Sequence, residues 1–146
     1  MTRRVVVVPP ELSLVDAWNI MTRERIRHLP VVRAGALFGM ISDRDILCRG
    51  KLDKEGVFHV TSDHLVAEAM TPVPLATCES STDVREIVRT MTEKKIDAVP
   101  VVRGLHLVGL VTSTDLLLLL LRGDEAQPLP FTFDLVEESI GRSLSS

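Results

Sequence analysis

The chain states one pattern twice, seventy residues apart, and an internal repeat of this length constrains architecture before any single residue is read. Residues 28–47 read HLPVVRAGALFGMISDRDIL and residues 98–117 read AVPVVRGLHLVGLVTSTDLL. Aligning Ser13–Leu47 with Asp83–Leu117 needs no gap, and 11 of those 35 positions are identical, among them Met21/Met91, Pro30/Pro100, Gly39/Gly109 and Asp45/Asp115. Unrelated segments of ordinary composition share roughly two. The expectation is two similar units packed with pseudo-twofold symmetry, with paired clefts.

Both copies follow one grammar. A short β-branched run (Val5–Val8, then Val73–Thr77) precedes an amphipathic helix. Leu14, Ala17, Trp18 and Met21 in the first copy, and Val84, Ile87, Val88 and Met91 in the second, recur at i, i+3, i+4, i+7, with Ser13 and either Thr82 or Asp83 as N-caps. Two strands follow, Leu29–Arg33 with Leu37–Ile41 and Val99–Arg103 with Leu105–Val111, joined by Ala34-Gly35 and by Gly104. Proline in the first strand of each pair suits an edge or strand-start position, because it cannot donate to a ladder. Short helices begin at Asp43 and Ser113. The fold class is therefore α/β (α+β), two β-α-β-β-α repeats. The expected domains are a first repeat over 1–50, a linker over 51–63, a second repeat over 64–121 and a tether with a C-terminal tail helix over 122–146. Asp134 and Glu137 form a capping-box pattern for that helix, with Val136, Ile140 and Leu144 as its stripe.

Composition narrows function. A net charge of −3 gives no footprint for a polyanion, and 3% aromatics without Tyr gives no stacking platform, so nucleic acid is not expected. Cys48 and Cys78 make neither a disulfide framework nor a zinc site and read as free thiols in a reducing compartment. MTRRVVVVPP is no signal-peptide core, and the six-leucine run Leu116–Leu121 is far short of the ~20 residues that span a bilayer. A cytoplasmic protein with no membrane partner is expected. His28, His59, His64 and His106 lack ligand spacing, so no metal is expected. No nucleophile elbow, Walker loop or GxGxxG is present, so neither an enzyme nor a catalytic cofactor is expected.

The two turns Gly39-Met40-Ile41-Ser42-Asp43-Arg44-Asp45 and Gly109-Leu110-Val111-Thr112-Ser113-Thr114-Asp115, each with a Pro-Val-Val strand opening twelve residues before its Ser or Thr, resemble the CBS domain. Ala69-Met70-Thr71 resembles the segment that usually leads into a repeat of that family. The resemblance covers about residues 3–121 and implies a tandem pair that folds as one module.

An adenosine nucleotide needs a carboxylate for its ribose diol, an apolar slot for its base, and oriented N–H groups or cations for its phosphates. In ligand-binding members of the family the turn holds ribose and phosphate, and apolar residues near the proline strand hold the base. Carried onto this chain, the first-copy site is Arg27, His28, Pro30, Gly39, Ile41, Ser42, Arg44 and Asp45. The second-copy site is Ala98, Pro100, Gly109, Val111, Thr112, Thr114 and Asp115. Asp45 and Asp115 would take the ribose, as an acidic residue does in dinucleotide folds. Ser42 and Thr112, at helix starts, would face an anion.

The same residues also read as helix caps, Ser42-x-x-Asp45 and Thr112-x-x-Asp115, worth about 1 kcal/mol each. Glu is the better box partner, so Asp in both copies leans toward ribose. Arg27, His28 and Arg44 favour AMP, ADP or ATP in the first site, unless both arginines are merely solvated surface charges. Asp97 and Thr114 leave the second site empty or suited to a less anionic ligand such as S-adenosylmethionine. The resemblance also implies a homodimer through the repeat helices, which would cover Leu116–Leu121; otherwise the tail helix folds back over them. The function expected is a ligand-sensing regulatory module acting on an effector protein, with the tail helix as docking place. The alternative is a ligand-free dimeric scaffold with vestigial clefts.

Overall fold

A computed structural model describes residues 2–60, 63–123 and 128–139. These fall into two units: Val6–Leu75 with the chain from Glu137 onward, and Ala76–Val136 with the chain start through Val5. The first unit carries the first repeat and the second unit carries the second.

Within the first unit, helix α1 (Leu14–Glu24) starts on Ser13, whose Oγ accepts the Asp16 N–H at 3.1 Å. It buries Leu14, Ala17, Ile20 and Met21, the stripe its spacing predicts, with Trp18 packed beside them. Strands β2 (His28–Arg33) and β3 (Ala36–Ser42) pair antiparallel, with a bulge between Val31 and Val32. Their turn places Ala34 and Gly35 at φ 50° and 80°, a two-residue hairpin that needs left-handed backbone twice. Helix α2 (Asp43–Leu47) follows directly. Val8 bridges the proline strand: its N–H donates to the Pro30 carbonyl at 3.1 Å and its carbonyl accepts the Val32 N–H at 2.9 Å. Val8, Leu12, Leu29, Val31, Ile41 and Ile46 are wholly buried together with the α1 stripe.

The second unit repeats this construction. Helix α4 (Val84–Lys94) starts on Asp83, whose carboxylate accepts the Arg85 N–H at 2.8 Å, and buries Val84, Ile87 and Met91. Strands β7 (Ala98–Arg103) and β8 (His106–Thr112) pair with the bulge at the equivalent place, between Val101 and Val102. Cys78 stands where Val8 stands, with its N–H on the Pro100 carbonyl at 2.9 Å. Helix α5 (Ser113–Arg122) is twice as long as α2 and ends on Gly123 at φ 77°. Even the helix ends agree: Arg25 and Lys95 take φ 57° and 56°, and the Ile26 and Ile96 N–H groups each reach back 3.0 Å to the Met21 and Met91 carbonyls. Both helices thus end in the same C-cap, with the bond from the residue after the left-handed one back to the helix.

Three segments depart from expectation. The stretch Val73–Thr77 forms no strand; β6 is Thr71–Pro72, paired with β3 at Gly39 and Met40. Between the repeats, β4 (Lys51–Leu52) pairs with β5 (Phe58–His59) where a linker is expected, whereas the short α3 (Val66–Ala69) agrees with the short helix that His64–Met70 leads one to expect before the second copy. The predicted tail helix is corrected over its described part: Thr132–Glu137 is strand β9, paired with β1 (Thr2–Val7). The reason is the two-residue alternation of Phe131 and Phe133, which turn to the same side and pack into the second core, where a helical stripe would split them. Ile140 and Leu144 of the predicted stripe lie outside the described residues.

Candidate functional site

Each Gly-to-Asp turn runs from the end of a hairpin strand into a helix, so backbone register decides where its side chains fall. In the first unit His28 pairs with Ser42, Leu29 with Ile41, Pro30 with Met40 and Val31 with Gly39. In the second Ala98 pairs with Thr112, Pro100 with Leu110 and Val101 with Gly109. The predicted residues of each copy are thus gathered on one hairpin end, apart from Ile41 and Val111. Those two side chains are wholly buried in their respective cores, where they serve packing.

The carboxylates sit in full capping boxes. Asp45 Oδ2 accepts the Ser42 N–H at 2.9 Å while Ser42 Oγ accepts the Asp45 N–H at 3.2 Å. In the second copy the corresponding distances are 2.9 Å and 3.4 Å, for Asp115 with Thr112. Aspartate therefore does what the better box residue, glutamate, would do. In the first copy the capping reading leaves room for the ribose reading, because the box engages one oxygen of Asp45, Oδ2.

The N–H groups at the start of α2 already have partners. The Asp43 N–H donates to the Arg27 carbonyl at 2.9 Å and the Arg44 N–H to Asp43 Oδ1 at 2.8 Å, so with Asp45 these donors are spent internally. Cations remain the means of holding an anion. Arg27 lies 3.4 Å from Asp43 through its Nε, Arg44 is exposed on the first turn of α2, and His28 is half-buried beside Ser42. The second turn offers exposed Thr114 and nearly buried Ala98 at these positions, and the Asp97 carbonyl takes the Ser113 N–H at 3.0 Å.

One residue that sequence reasoning missed changes the second turn. Arg3, on β1, forms an ion pair through Nη2 with Asp115 Oδ1 and lies 5.5 Å from the centre of the Phe131 ring. Asp115 is only 3% exposed, which makes it the one buried charged residue among those described. The second turn is therefore not short of cations. The position seventy residues after Arg3 is Val73, so the first turn has no matching guanidinium.

The glycines of the two turns are required by close approach. A Cβ on Gly39 would stand 2.6 Å from the Thr71 carbonyl oxygen and 2.7 Å from Met70 Sδ; one on Gly109 would stand 2.3 Å from the Phe133 ring. Elsewhere, no group of His, Cys, Asp and Glu among the described residues is arranged to hold a metal, and no described helix is long and apolar enough to cross a membrane.

Comparison with known proteins shows the family and the fold. The family model for the CBS domain matches residues 1–49 and 66–122. The chain is 28% identical over 116 residues to the CBS domain-containing protein YhcV of Bacillus subtilis, covering 80% of this chain and 79% of that one. It is 34% identical over 108 residues to inosine-5′-monophosphate dehydrogenase of Mycobacterium bovis, covering 73% of this chain but only 18% of the enzyme. Among solved structures, CBSX2 in complex with AMP superposes with a TM-score of 0.69 at 27% identity, over 81% of this chain and 89% of that one. The CBS domain pair of protein MJ0100, in complex with 5′-methylthioadenosine and S-adenosyl-L-methionine, gives 0.68 at 26% identity, over 83% and 90%.

Proposed function

The chain belongs to the CBS-domain family, and from that premise we propose that it is a regulatory module that binds an adenosine nucleotide at the first-repeat turn, with AMP or ATP favoured. The observation that carries this reading is the state of Asp45. Its Oδ2 is held by the Ser42 N–H, which fixes the carboxylate and leaves Oδ1 for the ribose diol. Arg27 and Arg44 supply positive charge for phosphates and His28, beside Ser42, a ring N–H, with Arg27 exchanging Asp43 for the ligand. Similar CBS pairs bound to AMP and to S-adenosyl-L-methionine support the ligand class. Binding regulates only if the ligand favours one conformation over another, and the effector is then a separate protein. A cytoplasmic, homodimeric and non-catalytic protein fits this role.

A thermal-shift panel with AMP, ADP, ATP and S-adenosyl-L-methionine tests it. A ligand at ~100 times its Kd adds about 2.7 kcal/mol, several degrees in a domain this size. The AMP or ATP shift is expected to vanish in Asp45→Ala and to shrink in Asp45→Asn, which keeps the cap acceptor but loses the charge. The scaffold reading is favoured by the completeness of both capping boxes. It predicts no shift with any nucleotide and lowered melting points in both Asp45→Ala and Asp115→Ala.

A further inference from the structure

We infer that the second repeat's turn is latched by the β1–β9 ribbon: Arg3 occupies the Asp115 carboxylate, Phe133 covers Gly109, and an adenosine ligand reaches this turn only when the ribbon lets go. The inference rests on the ribose reading of the aspartates given above. Both Asp115 oxygens are engaged, Oδ2 by the Thr112 N–H at 2.9 Å and Oδ1 by Arg3, and the residue is only 3% exposed, so a diol reaches the carboxylate only by displacing the guanidinium. Arg3 is itself held from several sides. Its guanidinium lies against Phe131, and its neighbour Thr2 shares a 3.0 Å hydroxyl hydrogen bond with Thr132 of β9. The Phe131 and Phe133 rings meet edge to face at 6.3 Å, which ties the residue beside Arg3 to the one over Gly109.

The first repeat lacks this arrangement. Its glycine is also covered, but by Met70 and Thr71, and no arginine stands where Arg3 would be matched, since that position is Val73. The latch thus makes the two turns unequal, with Asp115 buried and Asp45 half-buried. A two-stranded ribbon is marginal by itself, and the Arg3 side chain is 34% exposed, so opening is local and does not require the unit to unfold.

Calorimetric titration with AMP and with adenosine counts equivalents per chain in the wild type, Arg3→Ala, Arg3→Ala/Asp115→Ala and Asp45→Ala. The expected result is one equivalent in the wild type, lost in Asp45→Ala, and two in Arg3→Ala, with the second lost in the double variant. One equivalent in both the wild type and Arg3→Ala, or two in the wild type, overturns the latch and leaves the first-repeat reading standing. None in the wild type but one Asp115-dependent equivalent in Arg3→Ala supports the latch and removes the first-repeat reading. No binding in any variant overturns both. Because Arg3→Ala strips a buried carboxylate of its partner, Phe133→Ala opens the same turn independently. If Arg3→Ala fails to fold, a second equivalent in Phe133→Ala supports the latch and its absence overturns it.

Discussion

At the scale of single residues, the two cysteines show how burial separates chemically identical groups. Cys78 is buried where its backbone bridges the proline strand, and that burial, with Glu79 adjacent, pushes its thiol from the ordinary 9.0 up to about 11. Cys48 closes α2 in solvent. A thiolate-selective reagent at pH 8 is therefore expected to modify Cys48 rapidly in the folded protein and Cys78 only after denaturation, with mass spectrometry assigning the sites. The sign of the linked stability follows from the raised value. The folded state keeps the proton that the unfolded chain releases near pH 9, so stability is undiminished below pH 9 and falls between about pH 9 and 11. Denaturant melts of Cys78→Ala should lack that part of the alkaline loss; an unchanged slope would show that other groups cause it.

At the scale of elements, each hairpin turn is tied to a second segment through its glycine. Gly39→Ala sets a methyl against a backbone carbonyl, Thr71 O, with Met70 Sδ also too close, so β6 must shift. The expected cost is about 1–3 kcal/mol in a denaturant melt, the usual penalty of overpacking. In Gly109→Ala the obstacle is the Phe133 ring on β9, which can be expelled with its strand. Hydrogen exchange should accelerate across Thr132–Glu137 in that variant, and equal protection to wild type would show that β9 is not held through Gly109.

These contacts also mark what a reader of the sequence can and cannot obtain. The α1 and α4 stripes, the Ser13 cap and the proline hairpins are local, set by periodicity and turn chemistry within about ten residues. Strand β9 departs from the helical expectation because Val136, Ile140 and Leu144 satisfy a helical period while Phe131 and Phe133 satisfy a strand period, and only the packing of the rings decides. Asp45 and Asp115 were legible as a pair of matched turns. Arg3 was not, since 112 positions separate it from Asp115 and no local pattern links them.

At the scale of the whole molecule, the second unit leaves an apolar face unburied. Leu116 and Leu119 turn into its core, but Leu117 is 61% and Leu120 58% exposed. Together with Val88 and Met91 of α4 they line a groove of about 520 Å³ between α4 and α5. The tail was one of two covers expected for these leucines, but its described strand packs Phe131 with the core and Phe133 against Gly109, and neither residue lines the groove. A second copy is the other, and a twofold pairing would bury the same face twice. Fully burying a leucine side chain is worth about 1.5–3 kcal/mol, so covering the exposed three-fifths of two leucines from each partner contributes on the order of 4–7 kcal/mol before the cost of association. Sedimentation velocity at micromolar concentration should then give twice the 16.2 kDa of one chain. Leu117→Asp combined with Leu120→Asp should return the monomer, with circular dichroism unchanged because neither side chain belongs to the buried core. A wild type that sediments as a monomer, or a dimer indifferent to both aspartates, would place the association elsewhere or remove it.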